Sequence, residues 1–184
     1  MPATPFHLPA NALVAWPLRR HVDLPSVLLV NLTIDIEPAV AMTLGLDPPP
    51  HGPAHTLLGA TLVGTATGWL LSRSTGLLES VLGGRYDLDA RVAMASGVAG
   101  GWLHVLLDSV MYGYLRPFSP LPGNPFHIAG SGDLLHLISG LLLLPVLALV
   151  VRERAWRTAP EKLTALLLAV SAVWMAGHAA LGRT

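Results

Sequence analysis

Five stretches of this chain read as apolar helices of bilayer length: about 24–46, 54–72, 92–113, 133–151 and 162–181. A helix that crosses a membrane needs roughly 20 mostly apolar residues, and few soluble architectures can bury five such segments in so short a chain. Composition agrees. Of 184 residues, 52% are hydrophobic and 12% charged, with a mean hydropathy of +0.57, where soluble domains average about 25% charged. The expected fold is all-α: a multi-pass transmembrane helical bundle of about five spans, one membrane-embedded domain over residues 1–184. The stretch "FHLPANALVAWPL" (6–18) is too short to span. It reads as a short N-terminal half-helix packed on the next segment, or as an interfacial helix. The connections are rich in Pro and Gly, as turns and ordered loops are.

Charge gives an orientation. If residues 19–23 are cytoplasmic and the five segments alternate, the inner loops hold Arg19, Arg20, Arg73, Arg85, Arg91, Arg152, Arg154, Arg157 and Lys162. The outer side holds only Arg116 and Arg183. Nine against two is a positive-inside bias. Residues 47–53 and 114–132 are then outside, the periplasmic face if the membrane is a bacterial inner membrane. The first eighteen residues lack a basic region and a small-residue cleavage site after an apolar core, so no cleaved signal peptide is expected. Formal net charge is zero and there are no basic runs with interleaved aromatics, so nucleic acid is not an expected partner. Without cysteine, any metal must be held by His, Asp and Glu.

Ionisable groups inside spans are costly and usually face a bundle interior or cavity. Counted from the basic ends at about 1.5 Å per helical residue, several fall at similar depth. Asp35 lies twelve residues beyond Asp23, and His7 twelve before Arg19. His104 and Asp108 lie thirteen and seventeen past Arg91, and His55 eighteen before Arg73. His136 and Asp133 lie sixteen and nineteen before Arg152. All sit between mid-membrane and the outer interface, which predicts one shared polar centre opening outward.

Spacing adds chemistry. His51 and His55 are four apart, as are His104 and Asp108. Residues so spaced share a helix face and can grip one ion. Neutral imidazole and carboxylate suit zinc and similar divalent metals, and such a centre can ionise a bound water for hydrolysis. Glu37 would point away from Asp35 on an ideal helix, but Pro38 distorts that region, leaving Glu37 as ligand or general base. Each residue also has a plainer role: HxxxD can be an interhelical hydrogen bond, and "PPPHGP" can leave His51 in a loop. Asp133 can be a helix cap with His136 as its neighbour. No Ser sits in a G-x-S-x-G elbow, and "GVAGG" and "GSGD" lack the context of a phosphate loop. "GVAGG" fits close helix packing instead.

The blocks "TPFHLPANAL" (4–13), "VNLTIDIEP" (30–38), "LDPPPHGPAHTLLGATLVG" (46–64) and "GGWLHVLLDSVMYGYLRPFSPLPGNPF" (100–126) resemble, in order, the membrane-bound metal-dependent hydrolase-like family, also labelled LexA-binding inner-membrane-associated hydrolases. The family's early His matches His7, its acidic pair aligns with Asp35 and Glu37, its histidine pair with His51 and His55, and its last pair with His104 and Asp108. Three departures are that Ile34 stands where the family has Pro, that the second acid is Glu, and that the histidine pair lies in "HGPAH" without the Arg and Thr of the commoner "HRGxTH" form.

The sequence therefore points to a membrane-embedded, metal-dependent hydrolase acting at the outer face on a phosphodiester or ester bond of a lipid or lipid-linked substrate. One or two divalent ions, zinc by preference, would be held by His7, Asp35, His51, His55, His104 and Asp108. Glu37, Asp133 or His136 would act as base or support the ligands. Arg116 would hold an anionic headgroup or anchor the loop at the interface, and Tyr112 would bond substrate or pack. The alternative is a non-catalytic membrane protein: a metal or proton transporter, or the interaction partner of a regulator. The scarcity of polar groups in the inner halves of the spans argues against a transport path.

Overall fold

A computed structural model describes residues 6–46, 51–152 and 157–180, the last three by backbone alone. Positions 47–50, Arg154 and Arg183, used above to assign loops and charge, lie outside the described residues. Among the described residues the chain is helical and has no strand. Helix α1 (His7–Ala15) runs into a 3-10 turn (Trp16–Leu18) and is followed by α2 (Leu24–Ile34), α3 (Ile36–Thr43), α4 (Leu57–Arg73), α5 (Thr75–Leu82), α6 (Ala90–Met111), α7 (Ser131–Arg152) and α8 (Ala159–Ala180).

Among the described residues four helices are long and apolar enough to cross a membrane, against about five expected: Leu24–Thr43, Ala90–Met111, Ser131–Arg152 and Ala159–Gly177. The difference lies at α4. Pro53–His55 turns as a 3-10 helix, and Thr56 then caps α4 by accepting from the Gly59 amide at 2.9 Å, so the regular helix keeps only 17 residues. α4 nevertheless runs antiparallel along α6, with Ala60 at Gly101, Gly64 at Gly97 and Gly68 at Ala93. A Cβ on Gly64 would stand 2.5 Å from the Gly97 carbonyl oxygen. Glycine at these crossings lets the two backbones touch, the packing expected of "GVAGG". Part of the connection 73–91 is also helical, as α5.

α1 is the expected half-helix. Its Leu8 and Ala12, with Trp16 just beyond, bury against Leu28, Val146, Val150 and Leu168 of α2, α7 and α8. A second cluster, Val30, Ile34, Ala60 and Val105, joins α2, α4 and α6. α2 and α3 are almost continuous. The break falls at Asp35, which caps both, because Pro38 has no N–H to return to the Ile34 carbonyl.

One end of the bundle is stitched by polar groups. Asp23 caps α2 through Ser26 (2.8 Å to its amide, 2.6 Å to its hydroxyl) and accepts from the Tyr86 hydroxyl at 2.8 Å. The Ser96 hydroxyl accepts the Asp23 amide at 2.9 Å. Lys162 Nζ donates to the Leu82 and Gly83 carbonyls at 2.6 and 3.0 Å. Burial pushes the Asp23 carboxyl above its ordinary range despite three hydrogen bonds. These contacts fix the basic end and hold the helices in register for the site at the other end.

Candidate metal centre

Asp35, His55, His104 and Asp108 come together with one ligand atom of each within 4.8 Å of the others. Asp35 Oδ1 is 3.2 Å from His55 Nε2 and 3.2 Å from His104 Nε2. Asp108 Oδ2 is 3.3 Å from His104 Nε2 and 3.5 Å from His55 Nε2. A four-coordinate ion with bonds of about 2.0 Å spaces its ligand atoms by about 3.3 Å. His55 and His104 are completely buried and Asp108 is 1% exposed. Yet His104 Nε2 and Asp108 Oδ1 make no hydrogen bond of acceptable geometry, a costly state for buried polar atoms. Lone pairs converging at ligand spacing, with buried atoms left over, fit a cation. These four residues could hold a metal ion.

Local sequence explains each position. His104 and Asp108 project from one face of α6, one turn apart. Asp35 sits at the kink between α2 and α3. His55 ends the 3-10 turn of Pro53–His55, so the pair 51–55 is not on a regular helix. The Gly52–Pro53 turn still folds His51 back on His55, with ring centroids 4.5 Å apart. Gly52 has a packing reason to be glycine: its Cβ would lie 2.7 Å from Glu37 Oε1.

The remaining predicted residues surround this core. His7 Nε2 is 3.0 Å from Asp108 Oδ1, while Asp108 Oδ2 faces His55 and His104. His51 Nε2 is 4.0 Å from Asp108 Oδ2. Glu37 accepts from the Gly52 and Ala54 amides at 2.9 and 3.2 Å and from His55 Nδ1 at 3.1 Å. It thus contacts the back of His55 while Asp35 contacts the front. The two acids converge on one imidazole because the break at Asp35 turns α3 relative to α2. Tyr112 stacks on His51 at 5.0 Å. His136 is half-buried beside Phe6, ring centroids 4.9 Å apart, with an unpartnered Nε2. Asp133 is exposed in the first turn of α7, which begins at Ser131, so it does not occupy the cap position itself. Arg116 is exposed on the loop. Among the described residues, no hydrogen bond or ion pair joins Asp133, His136 or Arg116 to the four-residue cluster.

Three further residues belong to the site. Asn31 Oδ1 accepts from His104 Nδ1 at 3.1 Å and from Asn11 Nδ2 at 2.5 Å, while Asn31 Nδ2 donates to the Val27 carbonyl at 2.7 Å. Tyr114 Oη lies 2.5 Å from His51 Nδ1. Same-face spacing would have found two of them, since Asn11 follows His7 by four and Asn31 precedes Asp35 by four. Tyr114 lies past the end of α6, and only the assembled loop shows its role. That loop is strapped down: Asn124 Nδ2 donates to the Ser109 and Tyr112 carbonyls at 2.7 and 2.9 Å, and the Leu57 amide donates to the Pro117 carbonyl at 2.8 Å.

Burial, reinforced by the neighbouring His55, pushes the His51 imidazole down to about 4, so at neutral pH it carries a free lone pair. Burial and Asp108 push the Tyr114 phenol up to about 12, so it stays protonated.

The chain matches no family model, no curated protein and no solved structure.

Proposed function

We propose that this chain is a membrane-embedded, zinc-dependent hydrolase that cleaves a phosphodiester or ester bond of a lipid or lipid-linked substrate at the outer face of an inner membrane. The observation that carries this is the buried Asp35–His55–His104–Asp108 cluster, with its ligand-like spacing and with His104 Nε2 and Asp108 Oδ1 making no hydrogen bond. A sulfur-free set of two imidazoles and two carboxylates suits zinc. Such an ion supplies an activated water near neutral pH. The resemblance of the four sequence blocks to metal-dependent hydrolase-like membrane proteins points the same way, and, with α4 crossing as a fifth, shorter span antiparallel to α6, the nine-to-two distribution of cationic residues supports an outward-facing centre.

The chain's own residues have separable tasks. Asp35, His55, His104 and Asp108 hold the ion, with His7 on the second oxygen of Asp108. Glu37 and Asn31 accept the Nδ1 protons of His55 and His104 and so aim each Nε2 inward. This role suits Glu37 better than that of general base, since both its oxygens are engaged. Tyr112 and Asp35, whose side chain is 15% exposed, lie where substrate would approach.

The test is turnover of a panel of lipid phosphodiesters and esters by detergent-solubilised protein. Hydrolysis should stop on chelation, return with zinc, and be absent from His104→Ala. Hydrolysis that survives chelation, or zinc-loaded protein that turns over nothing in the panel, would overturn the assignment, the latter favouring the non-catalytic alternative.

A further inference from the structure

Three imidazoles in this site present Nε2 inward, and each is held from behind at Nδ1: His55 by Glu37, His104 by Asn31 and His51 by Tyr114. The first two holders serve donors of the four-residue cluster. The third serves a histidine whose Nε2 stands 4.0 Å from Asp108 Oδ2, just beyond the cluster on its Tyr-lined side. His51 is 9% exposed, against complete burial of His55 and His104, so it occupies the outward edge of the centre. Its ring has little freedom, being stacked on Tyr112 at 5.0 Å and set edge-on to His55 at 4.5 Å.

We propose that Tyr114 is a positioning residue of the metal centre: its hydroxyl accepts the His51 Nδ1 proton, fixing the tautomer with its lone pair on Nε2 and holding that ring over the outward edge, where His51 serves as an additional, fifth ligand. This rests on the metal centre proposed above. A tyrosine hydroxyl both donates and accepts. If it accepts from His51, its own proton is free to point to the open side, where Tyr114 is 45% exposed. Partners behind a metal-bound histidine set its orientation and tautomer, and their loss typically weakens metal binding about 10- to 100-fold. Tyr114→Phe removes only the hydroxyl and keeps the ring against His51 and Tyr112.

The experiment is a double-mutant cycle in zinc affinity, read by competition with a chromophoric chelator, on the full chain in detergent. The four proteins are wild type, Tyr114→Phe, His51→Ala and the double variant. Tyr114→Phe should weaken binding about 10-fold, His51→Ala at least as much, and the double variant no more than His51→Ala alone. Such non-additivity marks two residues acting through one contact. A purely structural tyrosine would instead weaken zinc binding equally in both backgrounds, or not at all, and either result overturns the proposal. A wild type that binds no stoichiometric zinc would overturn the metal centre itself, a separate and distinguishable failure.

Discussion

At the scale of single residues, the proposed centre depends on acceptors behind its histidines. Glu37 faces His55 Nδ1 at 3.1 Å and two backbone amides. Glu37→Gln keeps the size but can turn an NH2 group toward Nδ1, so zinc affinity should fall roughly 10- to 100-fold while the helical circular dichroism stays unchanged. Affinity equal to wild type would mean that Glu37 does not orient His55. Gly52→Ala should act in the same direction, because the new Cβ displaces the same carboxylate. His104 and Asp108 were legible from sequence because a regular helix carries both. The convergence of Asp35 and Glu37 was not, since it depends on a kink whose angle no spacing rule supplies. Asn31 shares a face with Asp35 at a spacing of four, but its uncharged side chain carries no burial-cost signal in the sequence. Tyr114 was not legible, because its position depends on the loop tied down by Asn124.

Among elements, the α4–α6 contact decides whether His55 and His104 can share an ion. The crossing is backbone to backbone at Gly64 and Gly97. Gly97→Ala should therefore destabilise the protein by about 1–3 kcal/mol and weaken zinc binding together with it. A detergent melting temperature equal to wild type would show that the helices are not this close. At the basic end, Tyr86→Phe removes a donor from buried Asp23 and should cost about 1–3 kcal/mol. The sign with pH follows from the raised Asp23 carboxyl. A group whose folded-state value is raised loses stability as pH climbs through it, and losing the Tyr86 bond raises it further. The cost of Tyr86→Phe should thus be full at pH 7 and shrink in acid. A penalty constant across pH 4–7 would contradict the buried, ionisable Asp23. The cap and proline signals that start α2 were readable at Asp23–Pro25. The shortening of α4 was not, because hydropathy does not see the 3-10 turn.

For the whole molecule, the apolar segments announced a helical membrane protein before any contact was known, and the four long apolar helices agree. Orientation rests on the arginines and lysine, and it can be tested cleanly because the chain has no cysteine. Ser119→Cys, on the exposed loop after α6, should react with an impermeant maleimide from the outer side in intact spheroplasts. Reaction only after the inner face is opened would reverse the topology and place the centre inward. Depth counting singled out His7, Asp35, His55, His104 and Asp108, which converge, but also Asp133 and His136, which make no bond to the four-residue cluster. Helices fixed at one membrane boundary bring equal counts to equal depth, and the cost of burying charge then draws the polar groups together.

The central claim, that these helices converge to hold one buried metal centre, is tested most directly by elemental analysis of the purified, detergent-solubilised protein. Wild type should carry at least one zinc per chain through size exclusion, and His104→Ala and Asp108→Ala should lose it while remaining folded. Equal trace metal in all three proteins would contradict the account.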